Sequence, residues 1–361
     1  MKNKIKVLHT EWSDGWGGQE IRIINEMIAA REQGIGVYLA CRDHSQIKQK
    51  AIQNNIEVFT LPFRGNLDFS TMFALKKIVK ENNINIVNTH SGKDTWVGGF
   101  AAKLAGVKFI RTRHLSNRIG TSRFNFINEL ADYILTTGES VKNDMIKYNR
   151  INPEKIMSVP TGIDEEIFDP SKYNKQIERE KLNIKNDEIA IGIIAVIRGF
   201  KRHDLFIEAA EKLTEKYNNL KFLIAGDGPR KTEMETLVKN KNLNNIIFLG
   251  HIDEPAKTLS ALDIFALTSD SKEGVPQSVI QALLMNKKVV ATKAGSTKDL
   301  HKNKNFLLIE THNLEEIING IENLIKDNSN KYTNSRKFIT ENFSKKIMVK
   351  KIIKIYHDLV L

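Results

Sequence analysis

Glu273 and the residues after it, EGVPQSV, set a carboxylate beside the start of a helix. Pro276 suits the first helical position: its missing N–H is one the helix would not use, and its φ is already helical. A helix beginning there turns the free N–H groups of Gln277, Ser278 and Val279 back toward the loop, and that end carries partial positive charge. Such a terminus binds phosphate, and a carboxylate beside it accepts hydrogens from hydroxyls. Phosphate and hydroxyls together describe a nucleotide sugar. The plainer reading of Glu273 is a complement to the helix dipole. Ahead of it, Ile264 to Leu267 is an apolar run of strand length, so the unit reads strand, polar loop, helix.

Other residues able to do chemistry also fall just after apolar runs. Arg198 and Lys201, in VIRGFKRHDLF, put two cations before a helix start. Cations are unfavourable there, so a diphosphate ligand explains them better than a solvated helix does. His114 (RTRHLS) and the weaker candidate His90 (NTHSGKD) stand where a ring could bond a sugar hydroxyl or simply be structural. Gly17-Gly18 in SDGWGG let a ligand approach the backbone or make a tight turn, and the third glycine of a dinucleotide site is absent. Gly226 to Pro229 (GDGP) and Gly250-His251 mark two further turns.

Placing these residues requires alternating strands and helices. Strands are expected at Lys4 to Thr10, Val37 to Cys41, Glu57 to Leu61, Ile84 to Thr89, Phe109 to Thr112, Tyr133 to Thr136 and Ile156 to Val159, with helices in several of the intervals. From Pro160 to about Asn186 the pattern dissolves into turns and charge, which marks a linker. It resumes with strands at Ile189 to Val196, Lys221 to Ala225, Ile246 to Leu249, Ile264 to Leu267, Val289 to Ala291 and Phe306 to Ile309, and closes in helices. Such alternation gives parallel sheets with helices on both faces. The expected fold class is α/β: two Rossmann-like doubly wound domains facing across a cleft, with ligands at the C-terminal ends of the strands. The expected division is 1–168, 169–343 and a last helix over 344–361 that packs back on the first domain.

With 361 residues, 41% hydrophobic and 27% charged, the chain is a soluble globular protein long enough for two cores. One cysteine, Cys41, excludes an internal disulfide framework and fits a reducing, cytoplasmic setting. The longest apolar run, Ile189 to Ile197, is about half the roughly 20 residues of a membrane span. The net charge of +12 is concentrated in two places: six basic and no acidic residues between Thr95 and Asn128, and eight basic against one acidic between Lys331 and Lys354. No nucleic-acid motif, zinc spacing or aromatic–basic interleaving accompanies them, so nucleic acid is not the expected partner. An anionic membrane surface is.

Together GWGGQE, RTRH, VPTGID, the Arg198 and Lys201 pair, AGDGP, FLGHI and EGVPQSVIQA stand in the order found in glycosyltransferase family 4, which the chain resembles over nearly its whole length. The resemblance implies the GT-B fold and a nucleotide-sugar-dependent transferase that retains anomeric configuration, by the family's front-face route. It implies that Gly17 and Gly18 lie at donor and acceptor, that His114 contacts the transferred sugar, and that Arg198 and Lys201 hold the diphosphate. It gives the sugar hydroxyls to Glu273, with Gly274, Val275, Pro276, Gln277 and Ser278 holding sugar and phosphate, and Gly250 and His251 on the donor side. Two departures stand out. Gln281 replaces the glutamate the family often sets on the ribose, and AGSTKD, with Asp299, stands where many members have Gly-Gly followed by Glu.

On that reading His114, Glu273, Arg198 and Lys201 are the catalytic set, and the donor is UDP- or GDP-linked. Without an Asp-x-Asp motif a metal is not needed at the leaving group, and no cofactor is expected. The acceptor is a glycan or glycolipid of bacterial cell-surface polysaccharide or lipopolysaccharide biosynthesis. The segment Lys103 to Arg123 would touch the anionic inner face of the cell membrane. The alternatives are a nucleotide-sugar epimerase of the same fold and a non-catalytic nucleotide-sugar-binding protein.

Overall fold

A computed structural model describes residues 4–115, 118–120, 123–271, 273–302, 306–327, 329 and 335–361, without the side chains of 123–125. The chain forms two compact units, 1–162 with 345–361, and 163–344.

The first unit runs β1 (Lys6–Glu11), α1 (Gly18–Glu32), β2 (Gly36–Cys41), α2 (Gln46–Gln53), β3 (Glu57–Thr60), α3 (Phe69–Glu81) and β4 (Ile86–Thr89). It continues as α4 (Gly92–Ala105), β5 (Lys108–Arg113), β6 (Tyr133–Thr136), α5 (Glu139–Asn149) and β7 (Ile156–Ser158). All seven strands are parallel, in the order β3-β2-β1-β4-β5-β6-β7. Ile23 and Met27 of α1 cover one face of the sheet, and Leu75 of α3 with Ala101 of α4 cover the other.

The second unit contains α6 (Lys175–Lys181), β8 (Ile189–Ile194), α7 (His203–Thr214), β9 (Leu220–Ala225), α8 (Lys231–Asn240), β10 (Ile246–Gly250), α9 (Pro255–Ala261) and β11 (Ile264–Leu267). It ends with α10 (Gln277–Leu284), β12 (Lys288–Thr292), β13 (Leu307–Ile309), α11 (Leu314–Lys326) and α12 (Ser335–Phe343). Its parallel sheet has the order β10-β9-β8-β11-β12-β13. The last helix, α13 (Lys345–Val360), returns to the first unit, where Met348, Ile352 and Tyr356 join the core lined by Ile23 and Met27.

Strand order reverses direction between β1 and β4 in one sheet and between β8 and β11 in the other. At such a switch point neighbouring connections leave on opposite faces and open a crevice beyond the strand ends.

Several expectations need correcting. The units divide at Gly162 and Ile163 rather than after 168, because Ile163 and Phe168 pack into the second core with Leu284 and Phe343. The linker expected over 160–186 contains helix α6, whose Arg179 is buried and donates to the carbonyls of Lys185 and Glu188 at 2.6 and 2.5 Å. Pro276 is the N-cap of α10 rather than its first residue, with an extended ψ of 118°. The segment Lys103 to Arg123 is only partly a basic surface: Arg111 and Arg113 are buried, Lys103 pairs with Asp132 at 2.8 Å and Arg118 with Asp144 at 3.3 Å, while Lys108 is exposed. Residues 116–117 and 121–122 of that segment, the side chain of Arg123, and Lys331 of the second basic cluster lie outside the described residues.

Candidate active site

In the second unit the loops after β8 and β11 meet at the switch point. Thr268 donates to the carbonyls of Lys201 and Arg202 at 3.0 and 2.9 Å, and the Asp270 N–H donates to Phe200 at 2.9 Å. These bonds set Lys201 Nζ 2.5 Å from Glu273 Oε1, with side chains only 15% and 8% exposed. Ser269 Oγ donates to the same oxygen at 2.6 Å. Oε2 of Glu273 accepts no bond among the described residues. The start of α10 has no side-chain cap, so the N–H groups of Gln277, Ser278 and Val279 keep their donor capacity. Arg198 is exposed just before Lys201. Gly274 and Gln281 are half-buried, and Val275 and Pro276 buried, around the same helix start.

Glycines shape this edge. Gly295, in the loop after β12, has φ +53°, and a Cβ there would stand 1.9 Å from the Glu273 carbonyl oxygen. The next residue, Ser296, donates its N–H to that oxygen at 3.2 Å. The AGS turn thus braces Glu273 from behind, and Asp299 follows in a short 3₁₀ turn, Thr297–Leu300. A Cβ on Gly226 would meet the Ala195 carbonyl at 2.0 Å, so the GDGP turn fits tightly against the chain leading to Arg198. Gly250 has φ +66°, and His251 beside it is exposed near Asp253 at 3.5 Å, at the end of edge strand β10.

In the first unit Gly17 is extended and caps α1, its N–H donating to Glu20 at 2.9 Å. A Cβ there would meet nothing closer than 3.5 Å, so the fold itself does not demand glycine at this position. Gly18 is the first residue of α1. Glu11, at the end of β1, holds this loop by accepting from the Ser13 N–H at 2.7 Å and from Gln19 at 2.5 Å. Burial, with Asp94 repelling, pushes the Glu11 carboxyl up to about 8. His114 follows β5 and is joined to His90 at 2.9 Å, and His90 is joined to His9 at 2.9 Å. Burial holds all three rings well below the usual imidazole range, His9 at about 3. Arg22 further disfavours the charged form of His114.

Against known protein families, the model described as Glycosyltransferase Family 4 matches residues 16–167, and that for glycosyl transferases group 1 matches 174–346. The chain belongs to glycosyltransferase family 4. Its two sheets are the Rossmann-like domains of the GT-B fold. One relative of this family 4 protein is the Escherichia coli UDP-Gal:alpha-D-GlcNAc-diphosphoundecaprenol alpha-1,3-galactosyltransferase, 24% identical over 99% of this chain and 98% of its own. A glycosyltransferase structure from Rickettsia africae matches with a TM-score of 0.90 at 20% identity, over 99% of both chains. HepE from Anabaena, solved with UDP, matches at 0.87 and 19% identity over 98% of this chain and 100% of its own.

Tertiary structure adds residues to the candidate site that spacing alone did not mark. Ser269 and Gly295 support Glu273 from two loops, and His9 extends the histidine pair. Ser269 and Gly295 lie in stretches already singled out, whereas His9 sits within the β1 sequence KVLHTE, where it reads as a strand residue. No group of three or more His, Cys, Asp or Glu that could hold a metal ion occurs among the described residues.

Proposed function

We propose that this protein moves a sugar from a uridine-diphosphate donor to a glycan or glycolipid acceptor of the bacterial cell surface, with retention of configuration. The contact between Lys201 and Glu273 at the β8–β11 switch point, beside the uncapped start of α10, carries the reading. Arg198, Lys201 and the N–H groups of Gln277, Ser278 and Val279 face the charge that builds on a departing diphosphate. Oε2 of Glu273 accepts from a sugar hydroxyl, and the family resemblance gives His114 a contact with the transferred sugar. Gln281 bonds ribose hydroxyls without adding charge. The cations do the neutralising, so activity is expected to persist in EDTA. UDP is preferred over GDP because the E. coli relative is named for UDP-Gal and HepE was solved with UDP.

Radiolabelled UDP-galactose, UDP-glucose and UDP-N-acetylglucosamine, each incubated with protein and lipid-linked glycan, decide the matter. Transfer with an α-linked product supports the proposal. Isomerised donor alone identifies an epimerase, and saturable binding without turnover a binding protein.

Attachment to an anionic membrane is better served by α3 and α4, which pack side by side, than by Lys103 to Arg123. Leu67, Phe69 and Phe73 are 76%, 60% and 57% exposed, and Lys77 and Lys80 continue the stripe of α3. On α4, Trp96 and Phe100 form a ring cluster with Phe126, beside Lys93. Exposed aromatics flanked by lysines suit an anionic bilayer surface. Flotation with phosphatidylglycerol vesicles is expected to be lost in F69S/F73S; undiminished flotation of that variant overturns the assignment.

A further inference from the structure

His9, His90 and His114 come from adjacent strands β1, β4 and β5. His9 pairs in register with Asn88, so His90 stands two positions further along the neighbouring strand, on the same face. Thr89, the last residue of β4, pairs with Arg111, so His90 follows one position beyond that pair and His114 three. This stepped register joins the rings edge to edge. Centroids are 5.2 Å apart in both pairs, and the His9 and His90 planes differ by only 8°. The bonds are specific: His9 Nδ1 to His90 Nε2 and His90 Nδ1 to His114 Nε2, each 2.9 Å. His9 Nε2 is buried with no partner among the described residues.

A neutral imidazole has one N–H and one lone pair, and His90 uses both of its nitrogens in this chain. The three tautomers are therefore locked together, with two arrangements available. In one, His9 donates to His90 and His90 to His114. His9 Nε2 is then a bare acceptor, and His114 carries its proton on Nδ1, the nitrogen outside the chain. In the other, every bond reverses, and His9 Nε2–H becomes a buried donor with no acceptor among the described residues. An orphaned buried N–H is the rarer and costlier state. Burial keeps each ring neutral, and Arg22 on the same face disfavours a proton charge on His90 and His114.

We propose that His9, acting through His90, fixes His114 as the Nδ1–H tautomer, making His114 a hydrogen-bond donor to bound ligand. His9 and His90 are thus positioning residues. The donor role rests on the proposed function; the tautomer does not.

The test is ¹⁵N NMR of the full chain labelled at histidine, with His114 assigned from a His114→Gln spectrum. Wild-type His114 is expected as Nδ1–H. His9→Leu, which cannot donate to His90 Nε2, is expected to shift His114 toward a mixture of tautomers. His9→Asn, whose amide N–H can take the place of His9 Nδ1–H, is expected to restore it. Wild-type His114 as Nε2–H, or an unchanged population in His9→Leu, overturns the proposal, and the wild-type spectrum decides even if a variant fails to fold. With UDP-glucose as probe, His9→Leu is expected to weaken binding roughly three- to tenfold, the worth of one hydrogen bond. If UDP-glucose does not bind the wild type at all, the donor assignment fails while the tautomer result stands.

Discussion

Lys201 and Glu273, 72 positions apart in sequence, meet at 2.5 Å where β8 and β11 lie side by side. Both charges are largely withdrawn from water, so each depends on the other, and removing one leaves its partner buried and uncompensated. Lys201→Met and Glu273→Gln are each expected to lower turnover of a UDP-sugar by about 10²–10³-fold. Because the two act as a unit, the double variant should lose less than the product of the single losses. Steady-state kinetics on the four proteins, with circular dichroism to confirm folding, checks this; near wild-type turnover in Glu273→Gln would overturn the site.

Gly295→Ala should destabilise the protein and abolish activity together. The added carbon would collide with the Glu273 carbonyl, and the φ of +53° disfavours alanine besides. Gly34 has φ +89° with nothing within 4 Å of a Cβ, so Gly34→Ala should cost only about 1 kcal/mol and spare activity. Melting curves and turnover of both variants make the comparison.

His203 gives the second unit a pH dependence whose sign is fixed. Burial, with Lys201 repelling, holds its imidazole down at about 4 against an ordinary 6.5. Between those values the unfolded chain binds the proton and the folded chain does not. This contribution is present above pH 6.5 and is lost as pH falls toward 4. Urea unfolding of the wild type should therefore lose up to about 3 kcal/mol relative to His203→Leu over that window. Parallel pH profiles would count against it.

Arg179 ties α6 to the N-terminal ends of the central strands β8 and β11. Besides the carbonyls of Lys185 and Glu188, it donates to Asp263 at 3.0 Å and to the Ala261 carbonyl at 3.3 Å. Arg179→Met should cost about 3 kcal/mol. Arg179→Lys should recover little of it, because an ammonium cannot reach several acceptors in one plane. A shift in the urea midpoint measures both.

Local periodicity in the sequence was sufficient for the alternation of strands and helices, for β11 and for the start of α10 to within one residue. The motif order was sufficient for the family. These features depend on residues close together in the chain, so they can be read from it directly. Helix α6 escaped because its burial comes from Arg179 and from partners up to 84 positions away, not from an apolar stripe. The basic segment was legible only in part for the same reason: charge is visible in sequence, whereas the burial of Arg111 and Arg113 in β5, where α4 packs, is not. The pairing of Lys201 with Glu273 and the three-histidine chain required strand order. Nothing local places β8 beside β11, or β1 beside β4. Crossover connections and core packing decide that, and only then do side chains 72 and 81 residues apart come within hydrogen-bonding distance.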